Sequence, residues 1–181
     1  DIAQNGIQIG FDAVGVIESG RTGPTLLFDG HIDTIDVHPA ERWTREPFGG
    51  EIVDGRVYGR GTSDMKGAVA GMVCGAAAVD RGAIRGRIVV SASVGEELLE
   101  GRALQCVMDR YPADFVVIGE STNLDLVNAG RGRAEFVFRT KGKPAHGSSP
   151  HLGINAVHKM VAVMKEVDAL LMPSHPAVGR G

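Results

Sequence analysis

The sequence has little of three things that would place it in a specialised class of protein. Its two cysteines, Cys74 and Cys106, lie far apart and form no CxxC pair, so neither a disulfide framework nor a zinc ribbon is indicated. Its formal net charge of -3 supplies no basic surface for nucleic acid or for an anionic membrane. No signal peptide is recognisable, and no apolar run is long enough to cross a bilayer. These absences favour a cytoplasmic protein that binds neither nucleic acid nor membrane.

The composition is otherwise that of an ordinary globular protein with many glycines. The 181 residues are 43 % hydrophobic and 23 % charged, which suits one domain or one domain and a smaller piece. Many of the 26 glycines neighbour charged residues, which indicates functional loops on a rigid frame. The chain begins at Asp1 without an initiator Met and closes on a Pro- and Gly-containing segment. We therefore expect it to be a fragment of a longer protein.

Apolar runs typical of strands alternate with helical segments through residues 1–127. This alternation is typical of an α/β domain, with a mostly parallel sheet and flanking helices. The first helix is apolar around most of its circumference, so we expect it to pack in the interior, against a sheet, with Cys74 in the core. The predicted strands are 11–19, 26–28, 88–94 and 115–118, with a hairpin over 52–58 and helices at about 65–80 and 101–110.

The pattern changes from about residue 128 onward. Residues 134–140 alternate polar and apolar side chains, which predicts a half-exposed, antiparallel strand. A helix is predicted over 155–171, where apolar residues form one stripe. We therefore assign residues 128–181 to the beginning of a second, α+β subdomain.

Polar side chains follow several of the predicted strands, at the point where each strand ends. His31 and Asp33 lie two residues apart after the second strand, so in an extended chain they point the same way. Such a pair suits a metal-bound imidazole held by a carboxylate, although an isolated H-x-D is more often an ordinary histidine at a strand end. Glu96, Glu97 and Glu120 follow two further strands, and functional residues gather at this edge of parallel sheets.

One imidazole and several carboxylates suit a hydrolytic metal site better than a structural one, which would favour thiolates. Asp64 lies on a Gly-rich bend, where a carboxylate can bridge two cations. Two such cations can share a hydroxide and polarise a substrate carbonyl. Of the adjacent Glu96 and Glu97, one can ligate a metal while the other serves as general acid and base. The alternative for this pair is a solvated acidic face.

Several segments, in order along the chain, carry a family resemblance. They are 30–34 (GHIDT), 58–67 (YGRGTSDMKG), 95–97 (GEE), 119–121 (GES) and 142–150 (GKPAHGSSP) followed by 153–156 (GINA). With them the sequence resembles the zinc-dependent metallohydrolases that include aminoacylase, carboxypeptidase G-type enzymes, acetylornithine deacetylase and succinyl-diaminopimelate desuccinylase. Within that family it is most similar to the selenium-metabolism hydrolases. The resemblance implies hydrolysis of an amide bond in an N-acyl amino acid, a dipeptide or a related small amide.

The resemblance also implies roles for individual residues. It implies that His31, Asp64 and Glu120 bind one Zn²⁺, and that Asp64 bridges to a second Zn²⁺ held by Glu97. Co²⁺ or Mn²⁺ can replace zinc on such ligands. Asp33 would orient His31, and Glu96 would be the general base.

The resemblance makes residues 1–127 the N-terminal part of the catalytic domain, and 128–181 part of a lid through which the family forms homodimers. His146 matches a lid histidine that stabilises the tetrahedral oxyanion, the alternative being a surface-loop histidine. The family takes a further histidine ligand from beyond the lid, and His151, His158 and His175 have no suitable context. We therefore expect this chain alone to be inactive.

Two other functions remain open. A non-catalytic or degenerate member of the same fold would bind metal or peptide without turnover, and the lack of the further histidine ligand favours it. An aminopeptidase of a related fold without a lid is disfavoured by segment 142–150.

Overall fold

A computed structural model of the protein describes residues 12–130, 132–176 and 179–180. The chain divides into two compact units, Asp1–Leu124 and Asp125–Gly181. The predicted boundary after residue 127 lies just inside the second unit. Part of the predicted strand 11–19, its first residue, lies outside the described residues.

The first unit is built on a four-stranded sheet with the order β1-β5-β2-β6. Strand β2 runs parallel to both β5 and β6, whereas β1 pairs antiparallel with β5. The predicted mostly parallel sheet is thereby confirmed. The elements of this unit are β1 (Ala13–Glu18), β2 (Thr25–His31), β3 (Glu51–Val53), β4 (Arg56–Tyr58), α1 (Gly67–Ala77), β5 (Arg87–Ser93), α2 (Arg102–Arg110) and β6 (Phe115–Ile118).

A helix covers each face of this sheet. Because successive strand residues point to opposite sides, neighbouring residues of one strand pack on different helices. Leu27 and Val89 pack with Val107 of α2 on one face. Ile88, the neighbour of Val89 in β5, packs with Ala76 of α1 on the other. This arrangement confirms the flanking helices and fixes the carboxyl ends of β2, β5 and β6 at one edge of the unit.

Helix α1 packs against the sheet as predicted, but the expectation that it is interior is wrong. Val69 and Ala76 are buried against the sheet, but Val73 is 50 % exposed and Cys74 is exposed rather than in the core. The helix also ends at Ala77, before residue 80. The apolar circumference misled the prediction because the sheet covers one face of α1 and leaves Val73 and Cys74 on an exposed one.

The second unit departs from its predicted elements at one strand. Residues 134–140 form no strand, and Phe136 and Val137 are each 75 % exposed. A strand requires a neighbour for its backbone N–H and C=O groups, and the described part of the chain offers none to this segment. The alternating pattern was therefore insufficient by itself.

The predicted helix of the second unit is present as α3 (Ala156–Asp168), which ends before residue 171. Its first turn is capped by Asn155, whose side-chain oxygen accepts a hydrogen bond from the N–H of Val157 at 2.8 Å. A two-residue pairing of β7 (Ser174–His175) with β8 (Gly179–Arg180) follows. Among the helices that the structure describes, none combines the length and apolarity needed to cross a membrane.

Candidate metal centre

The polar residues predicted at the strand ends of the first unit lie together at one edge of its sheet. His31 is the last residue of β2 and is only 2 % exposed. Glu96 and Glu97 follow β5, and Glu120 follows β6. Asp64 reaches the same edge from the turn that precedes α1.

Three carboxylates converge on one nitrogen of the buried imidazole. The Nε2 atom of His31 lies 3.1 Å from Oδ1 of Asp64, 3.7 Å from Oε1 of Glu120 and 3.8 Å from Oε2 of Glu96. Because their side chains are 59 %, 43 % and 35 % exposed respectively, the carboxylates form a rim that is open on one side. The imidazole is the buried side of the site.

The donor atoms fall into two overlapping groups that fit divalent ions. Within each group, the ligand atoms lie within 4.8 Å of one another: His31 with Glu96 and Glu120, and His31 with Asp64 and Glu97. Donors bound to one zinc ion at about 2.0–2.2 Å lie at most about 4.4 Å apart, so small side-chain movements would suffice. The grouping differs from the expected one, since Glu96, predicted as the base, lies at ligand distance.

Asp64 points to the strand ends because the helical conformation is interrupted there. A single π-helical turn, Thr62–Lys66, precedes α1, and Asp64 has φ −122° and ψ 95° inside it. The next residue, Met65, is completely buried, and its terminal methyl lies 2.7 Å from where a Cβ on Gly30 would be and 3.1 Å from where one on Gly119 would be. These two glycines at the strand ends thus make room for the side chain that anchors the turn.

Asp33 contacts two elements of the site. Nδ1 of His31 lies 3.0 Å from the backbone carbonyl oxygen of Asp33 and 3.5 Å from its carboxylate. The other carboxylate oxygen, Oδ2, accepts a hydrogen bond from the backbone N–H of Glu97 at 3.1 Å. With Nδ1–H donating to the carbonyl, Nε2 of the neutral ring is the nitrogen directed at the carboxylates.

The crowding of carboxylates shifts two pKa values. Burial lowers the pKa of His31, but the Asp33 carbonyl and the Asp64 and Glu96 carboxylates outweigh burial and hold that pKa above its ordinary value. Burial raises the pKa of Glu96, and the charge of Glu120 raises it further, against a lowering by His31. The site therefore carries an excess of negative charge that a cation would relieve.

Asp29 is a buried carboxylate that the sequence patterns did not single out. It lies two residues before His31 on the same face of β2 and is 6 % exposed. Within the described residues, its Oδ1 atom and the Oγ atom of the adjacent Ser91 lack hydrogen-bond partners. Burial raises the pKa of Asp29 above its ordinary value, and the charge of Asp12 raises it further. The sequence feature that could have identified Asp29 is the presence of an aspartate inside an apolar strand.

His146, the remaining predicted site residue, belongs to the second unit. It is exposed, and its Nδ1 atom lies 2.8 Å from Oγ of Ser148. The three later histidines, His151, His158 and His175, are exposed residues of the same unit. The role expected for His146 stays a prediction.

Comparison with known proteins relates this chain to metallopeptidases. The family model described as peptidase family M20/M25/M40 matches residues 27–178. A probable succinyl-diaminopimelate desuccinylase of Staphylococcus epidermidis is 36 % identical over 156 residues, covering 84 % of this chain and 38 % of that protein. An acetylornithine deacetylase of Buchnera aphidicola is 32 % identical over 158 residues, covering 87 % of this chain and 41 % of that protein. The chain thus spans well under half the length of these relatives.

A solved structure shares the fold. An M20 family metallo-carboxypeptidase from Sulfolobus solfataricus superposes with a TM-score of 0.59 at 23 % sequence identity. The match covers 90 % of this chain and 38 % of that one. The observed sheet and helices are therefore similar to those of an M20 structure.

Proposed function

Because this chain belongs to peptidase family M20/M25/M40, we propose that the protein is a metal-dependent hydrolase of a small amide. The membership confirms the resemblance to the metallohydrolase family found in the motifs, and the similarity to its selenium-metabolism branch stays a prediction. The substrate class that we propose is an N-acyl amino acid, a dipeptide or a related amide. The observation that carries the proposal is the convergence of three carboxylates within 3.8 Å of Nε2 of the buried His31.

We propose that the centre holds two Zn²⁺ ions per subunit, with Co²⁺ or Mn²⁺ as possible replacements. The ligands would be His31, Asp64, Glu97 and Glu120. We assign Asp64 to the bridging position. Its Oδ1 atom lies 3.1 Å from Nε2 of His31, and it belongs to the same group of donor residues as Glu97. When bound, the ions would supply Lewis-acid polarisation of the substrate carbonyl and lower the pKa of water.

We propose Glu96 as the general base and acid. Its carboxylate would take a proton from the attacking water and later deliver that proton to the leaving amine nitrogen. One observation supports this role: the Glu96 carboxylate lies 3.8 Å from Nε2 of His31 and its side chain remains 35 % exposed, so water at the centre can reach it. Asp33 would hold His31 through its carbonyl and the Glu97 backbone through its carboxylate.

The resemblance supplies the remaining proposals. His146 would donate a hydrogen bond to the tetrahedral oxyanion, and its contact with Ser148 occupies Nδ1, which leaves Nε2 for this task. The second unit would mediate a homodimer. The sequence composition, rather than the resemblance, gives the last proposal: the protein would act in the cytoplasm on a small-molecule substrate, without binding nucleic acid or membrane.

A second candidate function is a non-catalytic member of the family that binds metal or peptide. It is favoured by one observation: in the described residues, both donor groups share His31 as their single imidazole. An ion held mainly by carboxylates is bound less selectively for zinc. This candidate predicts metal binding without turnover.

One experiment separates these functions. The full-length gene product would be stripped with a chelator and reloaded with Zn²⁺ or Co²⁺, with metal content measured by mass spectrometry. Hydrolysis of N-succinyl and N-acetyl amino acids and of dipeptides would be followed in parallel. We expect two ions per subunit, and turnover that the chelator abolishes and metal restores. Binding without hydrolysis of any of these amides would favour the non-catalytic candidate, and absence of binding would overturn the metal centre.

A further inference from the structure

Two of the proposed ligands lie on loops that are joined next to the ligands themselves. Ser63 immediately precedes Asp64 in the turn before α1, and Ser121 immediately follows Glu120 after β6. The hydroxyl of Ser121 donates a hydrogen bond to the backbone carbonyl of Ser63, with 2.6 Å between the two oxygens. The bond connects segments that are 58 residues apart in the sequence.

The hydroxyl of Ser63 contributes much less to this connection. Its Oγ atom lies 3.4 Å from Oγ of Ser121, near the upper limit for a hydrogen bond. The short contact therefore depends on the Ser121 hydroxyl and on a main-chain oxygen, which every residue at position 63 would provide. Ser121 is thus the side chain on which the connection depends.

The side chains of both neighbouring ligands receive little support from packing. Those of Asp64 and Glu120 are 59 % and 43 % exposed; Asp64 has non-helical backbone angles inside the turn Thr62–Lys66, and Glu120 lies beyond the end of β6. The last backbone hydrogen bond that ties the β6 end to β2 is donated by Gly119 to the Asp29 carbonyl at 3.1 Å. Beyond Gly119, the Ser121 hydroxyl holds this loop against the one that carries Asp64.

We propose that Ser121 is a positioning residue of the metal centre: its hydroxyl fixes the separation of the Asp64 and Glu120 backbones. The proposal rests on the proposed function, since it assigns these carboxylates to bound metal. Residues that orient metal ligands typically contribute about 10–100-fold to metal affinity. For a bond made to the backbone beside the ligands, we expect the lower end of that range.

The test compares Ser121→Ala with Ser63→Ala, which keeps the accepting carbonyl and loses only the longer contact. Affinity for Zn²⁺ and Co²⁺ would be measured by competition with a chromogenic chelator. We expect about tenfold weaker binding for Ser121→Ala and unchanged binding for Ser63→Ala. Hydrogen exchange of the metal-free protein gives a second readout: amides 119–122 and 63–65 should exchange faster in Ser121→Ala, while the thermal unfolding midpoint is unchanged.

Ser121→Thr and Ser121→Val form a matched pair of nearly equal volume in which only Thr keeps a hydroxyl. We expect Thr to preserve the metal affinity and Val to lower it as Ala does, and this pair decides the matter if Ser121→Ala folds poorly. Equal affinities of Thr and Val, or of wild type and Ser121→Ala, would overturn the positioning role while the metal centre stands. A wild-type protein that binds no metal would overturn the proposed function and this inference together.

Discussion

The carboxylate of Asp33 accepts a hydrogen bond from the backbone N–H of Glu97, with 3.1 Å between Oδ2 and N. The backbone carbonyl of the same residue is the closest partner of the His31 Nδ1 atom, at 3.0 Å. Asp33 therefore connects the end of β2 to the turn after β5, in addition to contacting the imidazole. This arrangement gives the side chain a role that is separable from orientation of the ring.

We expect Asp33→Ala to weaken Zn²⁺ binding by about 10–100-fold, because the Glu97 backbone loses its acceptor and His31 loses a nearby charge. Asp33→Asn keeps an oxygen that can accept from the Glu97 N–H and removes only the charge. Its affinity, measured by competition with a chelator, should lie between those of wild type and Asp33→Ala. If Asn and Ala weaken binding equally, the charge matters and the hydrogen bond to Glu97 does not.

We expect Glu96→Gln to lower kcat by about 10²–10⁴-fold in the full-length protein, since the amide cannot accept the proton of the attacking water. Metal content should stay unchanged. The measurements are steady-state hydrolysis and metal analysis of the same preparation. Glu97→Gln is the matched comparison, and there the metal content should fall. Loss of an ion from Glu96→Gln would instead make Glu96 a ligand, as its 3.8 Å approach to His31 permits.

We expect Asp29→Asn to stabilise the metal-free protein by about 1 kcal/mol at pH 7, because it removes a buried charge and its amide can donate to the Ser91 hydroxyl. The free energy of unfolding would be measured in urea. Since burial raises the pKa of Asp29 above 3.8, the folded protein binds this proton more tightly than the unfolded chain. The contribution of this group to stability is therefore complete below pH 3.8 and is lost as the pH rises through the folded-state pKa.

The advantage of Asp29→Asn should accordingly shrink as the pH is lowered towards 4, because Asn does not titrate and the wild-type carboxyl becomes neutral. Unfolding at several pH values between 4 and 7 would show this trend. A variant that is less stable than wild type at pH 7 would mean that the carboxylate has a stabilising partner.

We expect Gly30→Ala to destabilise the protein by about 1–3 kcal/mol through overpacking. A Cβ at this position would lie 2.7 Å from the terminal methyl of Met65 and 2.8 Å from Cγ2 of Val69. Gly15→Ala in β1 is the control, since its Cβ would meet no atom within 4 Å. Urea unfolding should separate the two variants, and equal stabilities would show that α1 shifts to accommodate the added methyl.

The polar residues of the candidate site could be predicted because residue type and spacing along the chain indicate them. His31, Asp33, Glu96 and Glu97 each follow an apolar strand, and parallel strands bring such ends to one edge. The first unit obeys this rule, with β2 between β5 and β6. Segment 134–140 has an equally regular pattern and forms no strand, since pairing depends on a neighbour that periodicity does not reveal.

The sequence by itself determined the family, the mostly parallel sheet and the set of polar residues at the strand ends, because these follow from residue type and spacing along the chain. Only the tertiary structure decided which donors approach which. In that structure, Glu96 lies at ligand distance beside Glu120, and Asp29 is buried on the same face of β2 as His31. The Ser121 hydroxyl donates a hydrogen bond to the Ser63 carbonyl. The first and last of these relationships connect residues that are distant in sequence, and the burial of Asp29 depends on what covers β2, so all three depend on how the strands and turns pack.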